Sequence, residues 1–218
     1  MRVKRMNKKL ICLLVAVVLL VGYGFRVWYV NANAYPMYEK EYEMGEWVPL
    51  EGDYFNAQRE NTDGYSVCLE KAEVLTYEEF MNRYDKDLDY LADSSQHDVV
   101  LLTINVKNED NDSGYIYING FTIMNKYKST YYNIDETYNP ICEPNLDVSI
   151  GGGVCAVRPG TEYTLHLAYT AGSRADGVTF LQEEAEKGKS EADVLLNISW
   201  YPTKKLIRFK IPIPENPQ

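Results

Sequence analysis

The stretch VVLLTINVK, residues 99–107, decides the fold. Along this predicted strand, apolar side chains occupy both faces at the start and only one face towards the end. Its first four residues are all apolar, and the last five alternate polar and apolar. Alternation is typical of a half-buried strand, and a fully apolar run is typical of a strand buried on both faces. Residues 64–70, GYSVCLE, repeat the alternation, with Tyr65, Val67 and Leu69 expected inward and Cys68 on the polar face.

Similar strands are predicted towards the C-terminus. In residues 162–169, Thr164 and His166 are expected outward, and the expected inward side chains are Tyr163, Leu165, Leu167 and Tyr169. Two further strands are predicted, and a hairpin connection at 201–205 joins them. The expected inward side chains are Val194, Leu196, Ile198 and Trp200 in the first strand, and Ile207, Phe209 and Ile211 in the second. Shorter strands are predicted at 115–124, kinked at Asn119-Gly120, and at 129–134 and 154–157.

Helical signals interrupt these strands at two places. Thr76 and Glu79 have the spacing of a capping box, and apolar residues recur at intervals of three and four as far as Leu91. The acidic stretch 85–87 is expected to loosen this helix, and residues 180–188 predict a second short helix that ends at Gly188. Seven or eight strands with one inserted short helix and no alternation of strands and helices predict an all-β sandwich.

Residues 10–30 predict a single membrane-spanning helix. Residues 10–25 contain no charge, and a bilayer core needs about 20 helical residues. Arg26 lies near the end of the segment, where its charge can reach the head groups. Five cations precede the segment and none of the acids does. The positive-inside rule therefore predicts a cytoplasmic segment at 1–9 and an extracytoplasmic C-terminal domain in a single-pass membrane protein.

A cleaved signal peptide is the alternative interpretation of this segment. Ala32-Asn33-Ala34 fits the small-x-small cleavage pattern, and cleavage after Ala34 would give a secreted protein that begins at Tyr35. The stretch before that site is long for a signal peptide and carries Arg26 and Trp28, which favours an uncleaved anchor.

The charge of the chain is divided between its two parts. Six of the 22 cations and none of the 32 acids lie in the first 30 residues, so the remainder has a net charge of −16. Such a domain repels nucleic acid and anionic head groups, and no nucleic-acid partner is expected.

No catalytic, cofactor-binding or metal-binding residue is predicted. Residues 108–114, NEDNDSG, resemble a calcium loop, but Gly120 occupies the position where the closing acid is needed, and a solvated turn is expected instead. Residues 151–153, GGG, lack the phosphate-loop pattern and are expected to form a flexible connection. His97 and His166 are expected at ordinary surface positions.

Cys142 and Cys155 flank a loop and could form a disulfide in an extracytoplasmic compartment. Such a bond would contribute about 3 kcal/mol by the chain-entropy model. Strand geometry could equally direct the two sulfurs apart and leave free thiols. Both alternatives remain open from the sequence.

Several short motifs are similar to those of a family of uncharacterised membrane-anchored proteins of Gram-positive Firmicutes, a domain of unknown function. They are GYGFRVWYVN at 22–31, EYEMGE at 41–46, NTDGYSV at 61–67, LTYEEF at 75–80 and VKNEDN at 106–111. The resemblance implies an immunoglobulin-like β-sandwich of the type also seen in secreted bacterial antigens. It implies no activity.

These observations predict four segments: a cytoplasmic segment at 1–9, an anchor at 10–30, a tether with an edge strand at 31–63, and a β-sandwich at 64–218. The expected function is non-catalytic binding of a protein or cell-wall partner at the cell surface, with the membrane contacted through residues 10–30. The alternative is a surface hydrolase that acts on glycan or peptide through unidentified carboxylates.

Overall fold

A computed structural model describes residues 8–32, 38–58, 60–92, 96–127, 131–146, 148, 152–170 and 180–214. The chain divides into two compact units, Met1–Pro36 and Met37–Gln218. The first contains α1 (Lys8–Ala32), and its stretch Ile11–Ala32 has a mean hydropathy of 2.2 and is wholly exposed. By length and composition this helix could cross a membrane, and a signal sequence has the same properties.

The second unit consists mainly of strands, with a few short helices. In chain order its elements are β1 (Tyr38–Glu43), β2 (Val48–Pro49), β3 (Tyr65–Leu75), α2 (Tyr77–Arg83), β4 (Val99–Asn108), β5 (Ile116–Tyr117), a 3-10 turn (Ile118–Gly120), β6 (Thr122–Asn125), β7 (Tyr131–Tyr132), α3 (Asn139–Cys142), β8 (Val154–Cys155), β9 (Thr161–Thr170), α4 (Phe180–Glu186), β10 (Glu191–Ser199) and β11 (Thr203–Pro212).

Two sheets form the predicted sandwich. One has the order β1-β11-β10-β6-β7 and the other β2-β3-β4-β9, and a small third sheet pairs β5 with β8. Alternate residues of both large sheets share one buried core, which includes Leu69, Leu102, Ile104, Leu167, Val194, Leu196, Ile207 and Phe209. The period-two pattern of the sequence therefore identifies the inward faces.

A second cluster covers the outer face of the four-stranded sheet. Phe80 and Met81 of α2 pack with Val99 and Leu101 of β4 and with Tyr138. This explains why β4 begins apolar on both faces: its even-numbered residues enter the sandwich core and its first odd-numbered residues contact α2. The predicted capping box of Thr76 and Glu79 is present, and the helix ends before Asp85, whose φ is +52°.

The segment predicted as a tether contributes two strands to the compact unit. β1 pairs in parallel with β11, and β2 pairs antiparallel with β3. The expected strand at 115–124 is two strands in different sheets, because the 3-10 turn at Ile118–Gly120 carries the chain from β5, which pairs with β8, to β6, which pairs with β10.

Lys205 was expected in a hairpin connection, but it lies inside β11 and is fully buried. Its Nζ lies 2.8 Å from Asp53 Oδ2 and 3.0 Å from Glu51 Oε2, and it donates to the carbonyl oxygens of Pro49 and Leu50 at 2.5 and 2.9 Å. Asp53 Oδ1 accepts a hydrogen bond from the backbone N–H of Thr203 at 2.9 Å. Burying an ammonium without such partners is costly, so this network fastens the segment after β2 to the opposite sheet.

Two predicted side-chain positions are wrong, those of Trp200 and Tyr163. Trp200 is 39 % exposed because a bulge between Asn197 and Ser199 ends the alternation of β10 before it, and Lys204 Nζ lies 4.9 Å from its ring centroid. Tyr163 is 47 % exposed because it lies beyond the buried stretch of β9 that begins at Leu165. Cys68 lies on the predicted polar face, where it pairs in register with Asn105 beside hydrogen-bonded polar side chains, and it is nevertheless buried.

Candidate functional site

A pocket of about 190 Å³ lies beside β9, the edge strand of the four-stranded sheet. We call it the Glu143 pocket, and its lining residues are Glu143, Asn145, Leu146, Val154, Cys155, Ala156, Tyr163 and Leu165. They come from the loop after α3, from β8 and from β9.

The segment 135–143 covers the free edge of β9 and brings Glu143 to the pocket. The backbone N–H of Asp135 donates to Ala168 O at 2.9 Å, and Asn139 Oδ1 accepts from the backbone N–H of Ala168 at 3.0 Å. Two residues along β9, the backbone N–H of His166 donates to Glu143 Oε1 at 2.8 Å. An uncovered edge strand would expose these backbone groups to other chains. The segment therefore provides hydrogen-bond partners for the backbone groups at the edge of β9, and it also fixes the position of Glu143.

Glu143 is the buried charged group of the pocket, with 8 % of the residue exposed. Its Oε1 accepts the His166 N–H and also lies 3.2 Å from His166 Nδ1. Its Oε2 has no hydrogen-bond partner among the described residues. Its backbone N–H donates to Asn139 O at 2.8 Å, which continues the turn of α3 and directs the side chain back towards β9. One carboxylate oxygen is therefore held by the fold and the other is available to the pocket.

The carboxylate affects the neighbouring acidic groups. Its charge raises the pKa of Tyr163, and burial adds to that effect. Burial, with the Glu143 charge as a smaller cause, raises the pKa of Cys155 to about 11 and that of Cys142 to about 12. Since the thiolate is the nucleophile, these thiols are unreactive near neutral pH.

The sequence left a disulfide and free thiols open for Cys142 and Cys155, and the structure contains both residues as free thiols. The Sγ of Cys142 lies 3.3 Å from the carbonyl oxygens of Asn139 and His166 and donates into this pair of acceptors. Cys142 therefore donates a hydrogen bond to a backbone carbonyl at the edge of β9, whereas Cys155 lies in β8 and lines the pocket.

The amide side chains of the loop 108–114 donate hydrogen bonds to backbone carbonyl groups of this loop and of neighbouring segments. Asn108 Nδ2 donates to the carbonyl oxygens of Asn111 and Val157 at 2.7 and 2.6 Å, and Asn111 Nδ2 donates to Asp63 O at 2.7 Å. Asp110 and Asp112 are exposed. No group of three or more His, Cys, Asp or Glu side chains in the described ranges is arranged to hold a metal ion.

Of the glycine run 151–153, Gly151 lies outside the described residues. Gly153 has a φ of +78°, and a Cβ there would meet the Asn119 side chain at 2.3 Å. Its carbonyl accepts a hydrogen bond from the Ile118 N–H at 2.6 Å. This glycine therefore permits close packing of β8 against the 3-10 turn. His97 is half-buried, and its backbone N–H donates to the hydroxyl of Tyr138 at 2.9 Å.

A family model described as a domain of unknown function (DUF5028) matches residues 39–205, which is most of the chain. The chain belongs to this family. The DUF5028 region begins in β1 and ends in β11, two strands that pair with each other, and it contains every residue of the Glu143 pocket. No curated protein and no solved structure matches the chain.

Sequence reasoning did not identify Glu143. It is one of 32 acids, and its neighbours in the chain carry no motif. His166, which lies between the buried Leu165 and Leu167 of β9, was expected at the surface, and its ring is partly exposed beside Glu143. The position of β9 at the edge of its sheet could have indicated the site, because the free backbone N–H groups of an edge strand need acceptors from another segment.

Proposed function

We propose that the chain is a single-pass membrane protein whose β-sandwich lies outside the cytoplasm and binds a partner without catalysis. The observation that carries this proposal is α1, a 25-residue apolar helix preceded by cations and followed by the acidic unit that begins at Met37. Its length and charge asymmetry are those of an uncleaved anchor with a cytoplasmic N-terminus. The immunoglobulin-like character and Firmicutes origin implied by the motifs are part of this proposal.

Binding without catalysis is supported by the chemistry of the Glu143 pocket. Among the eight lining residues that the structure describes, Glu143 is the sole carboxylate, whereas hydrolysis of a glycan generally uses two. Its thiol and phenol groups have raised pKa values and stay protonated near neutral pH. A buried acid in a small, partly apolar cavity is suited to recognising a ligand.

The test is fractionation of cells that produce the full chain with a C-terminal tag. We expect the intact protein in the membrane fraction, extracted by detergent but not by high salt. Leu19→Lys with Leu20→Lys should move it out of the membrane, since each central lysine costs about 2.5–3.5 kcal/mol of insertion. The matched control, Leu19→Ala with Leu20→Ala, should remain in the membrane. A soluble secreted protein that begins at Tyr35 would refute the anchor and support cleavage at Ala34.

A further inference from the structure

Glu143 Oε2, the carboxylate oxygen without a hydrogen-bond partner among the described residues, is suited to a cationic ligand. This inference rests on the proposed binding function. We propose that the Glu143 pocket binds the ammonium group of a lysine side chain from a protein or peptide partner, with Glu143 Oε2 as the acceptor. The lysine stem lies along the apolar wall of the pocket.

The first support is the state of the carboxylate. Oε1 is occupied by the His166 backbone N–H at 2.8 Å, and Oε2 has no partner among the described residues. Glu143 is more than nine-tenths buried, but Oε2 is not among the fully buried side-chain atoms that lack a partner, so this oxygen remains accessible from the pocket. A cation that enters the pocket can therefore reach Oε2 where the surrounding protein screens its charge less than bulk water does.

The second support is the composition of the walls. No lysine or arginine is among the eight lining residues, so the pocket provides no cation of its own. Leu146, Leu165 and the half-exposed Val154 give apolar surface, and the exposed ring of Tyr163 lies at the same pocket. A lysine has a four-carbon apolar stem and a compact charged end, which matches an apolar wall with a single acid.

The third support discriminates lysine from arginine. A guanidinium binds a carboxylate best through two parallel hydrogen bonds, one to each oxygen. Here Oε1 already accepts the His166 backbone N–H and lies 3.2 Å from His166 Nδ1, so this bidentate arrangement is disfavoured. An ammonium is a point charge that needs a single oxygen. The net charge of −16 on residues 31–218 also increases the local concentration of cationic partners.

The experiment is a titration of the full chain in nanodiscs, observed through the methyl signals of its Leu and Val residues. Three probes are compared: N-acetyl-lysine-N-methylamide, the arginine analogue, and the neutral norleucine analogue. We expect saturable shifts of the Leu146 and Val154 methyl signals with the lysine probe, weaker binding of the arginine probe, and no saturation with norleucine.

Glu143→Gln should weaken binding of the lysine probe at least about tenfold, because Gln keeps the acceptor for His166 but removes the charge. The matched control is Glu162→Gln, an exposed acid of β9, which changes the net charge equally and should leave the affinity unchanged. Equal binding of the norleucine or arginine probe, an unaffected Glu143→Gln variant, or no shift at the highest soluble probe concentration would each overturn the inference. Those outcomes leave the fractionation result untouched, so the two proposals fail separately.

Discussion

Lys205→Met tests the packing of the domain most severely, because it leaves Asp53 buried without its cation. The Asp53 side chain is 6 % exposed and that of Lys205 is fully buried, so solvent screens their 2.8 Å contact little. Removing one partner of a buried pair typically costs about 3–5 kcal/mol. The expected stability of a domain is about 5–15 kcal/mol, so this change removes a large fraction of it.

Asp53→Asn should be destabilising for the same reason, although Asn can still accept from the Thr203 N–H. The double variant should cost less than the sum of the two single variants, with a coupling free energy of about 2–3 kcal/mol. The matched control is Lys210→Met on the same strand. Its side chain is 64 % exposed in a surface pair with Glu191, and we expect a cost below about 1 kcal/mol.

Urea unfolding of residues 37–218, followed by tryptophan fluorescence, measures all four variants. A cost below about 1 kcal/mol for Lys205→Met, or additive single variants, would mean that Lys205 is not a buried, paired residue. That result would also remove the reason for attaching the segment after β2 to β11.

Three further predictions concern local structure and use the same assay. Thr76→Ala should lower the free energy of unfolding by about 1 kcal/mol, because the capping box of α2 is lost; no change would refute the cap. Trp200→Ala should cost about 1–2 kcal/mol, since the ring is partly exposed and stacks with Lys204; a cost of about 3–5 kcal/mol would show that it is buried. The hydrogen bond from Arg83 holds the pKa of Glu73 below its ordinary 4.5, so this pair contributes stability above that pH and loses it as the pH falls through the folded-state pKa. Glu73→Gln should therefore be less stable than the unmodified domain at pH 7, by up to about 1 kcal/mol, and the difference should disappear on acidification; a difference independent of pH would contradict the pair.

The sequence predicted those parts of the fold that depend on local pattern. The apolar start of β4 reflects the packing on both faces of its sheet, the capping box at Thr76 reflects local hydrogen bonds, and the structure confirms both. The apolar helix α1 is likewise present. The immunoglobulin-like character of the sandwich stays a prediction, because no solved structure matches the chain.

The features that the sequence did not reveal depend on contacts between distant residues. β1, YEKEYE, has no strong apolar pattern, since it is an edge strand paired in parallel with β11, and the side chains of Glu41 and Arg208 form an ion pair across it. Lys205 is polar and follows a turn, so only its contact with Asp53, 152 positions earlier, reveals that it is buried. The bulge before Trp200 is similarly visible only in the pairing of β10 with β11.

The central claim is that the β-sandwich lies outside the cytoplasm while the N-terminus stays inside, and lysine labelling of intact cells tests it directly. A membrane-impermeant biotin ester should label the exposed Lys71, Lys187 and Lys210 in intact cells. Lys8 and Lys9 should be labelled only after the membrane is permeabilised. Labelling of Lys8 and Lys9 in intact cells, with Lys71, Lys187 and Lys210 protected until permeabilisation, would contradict the account.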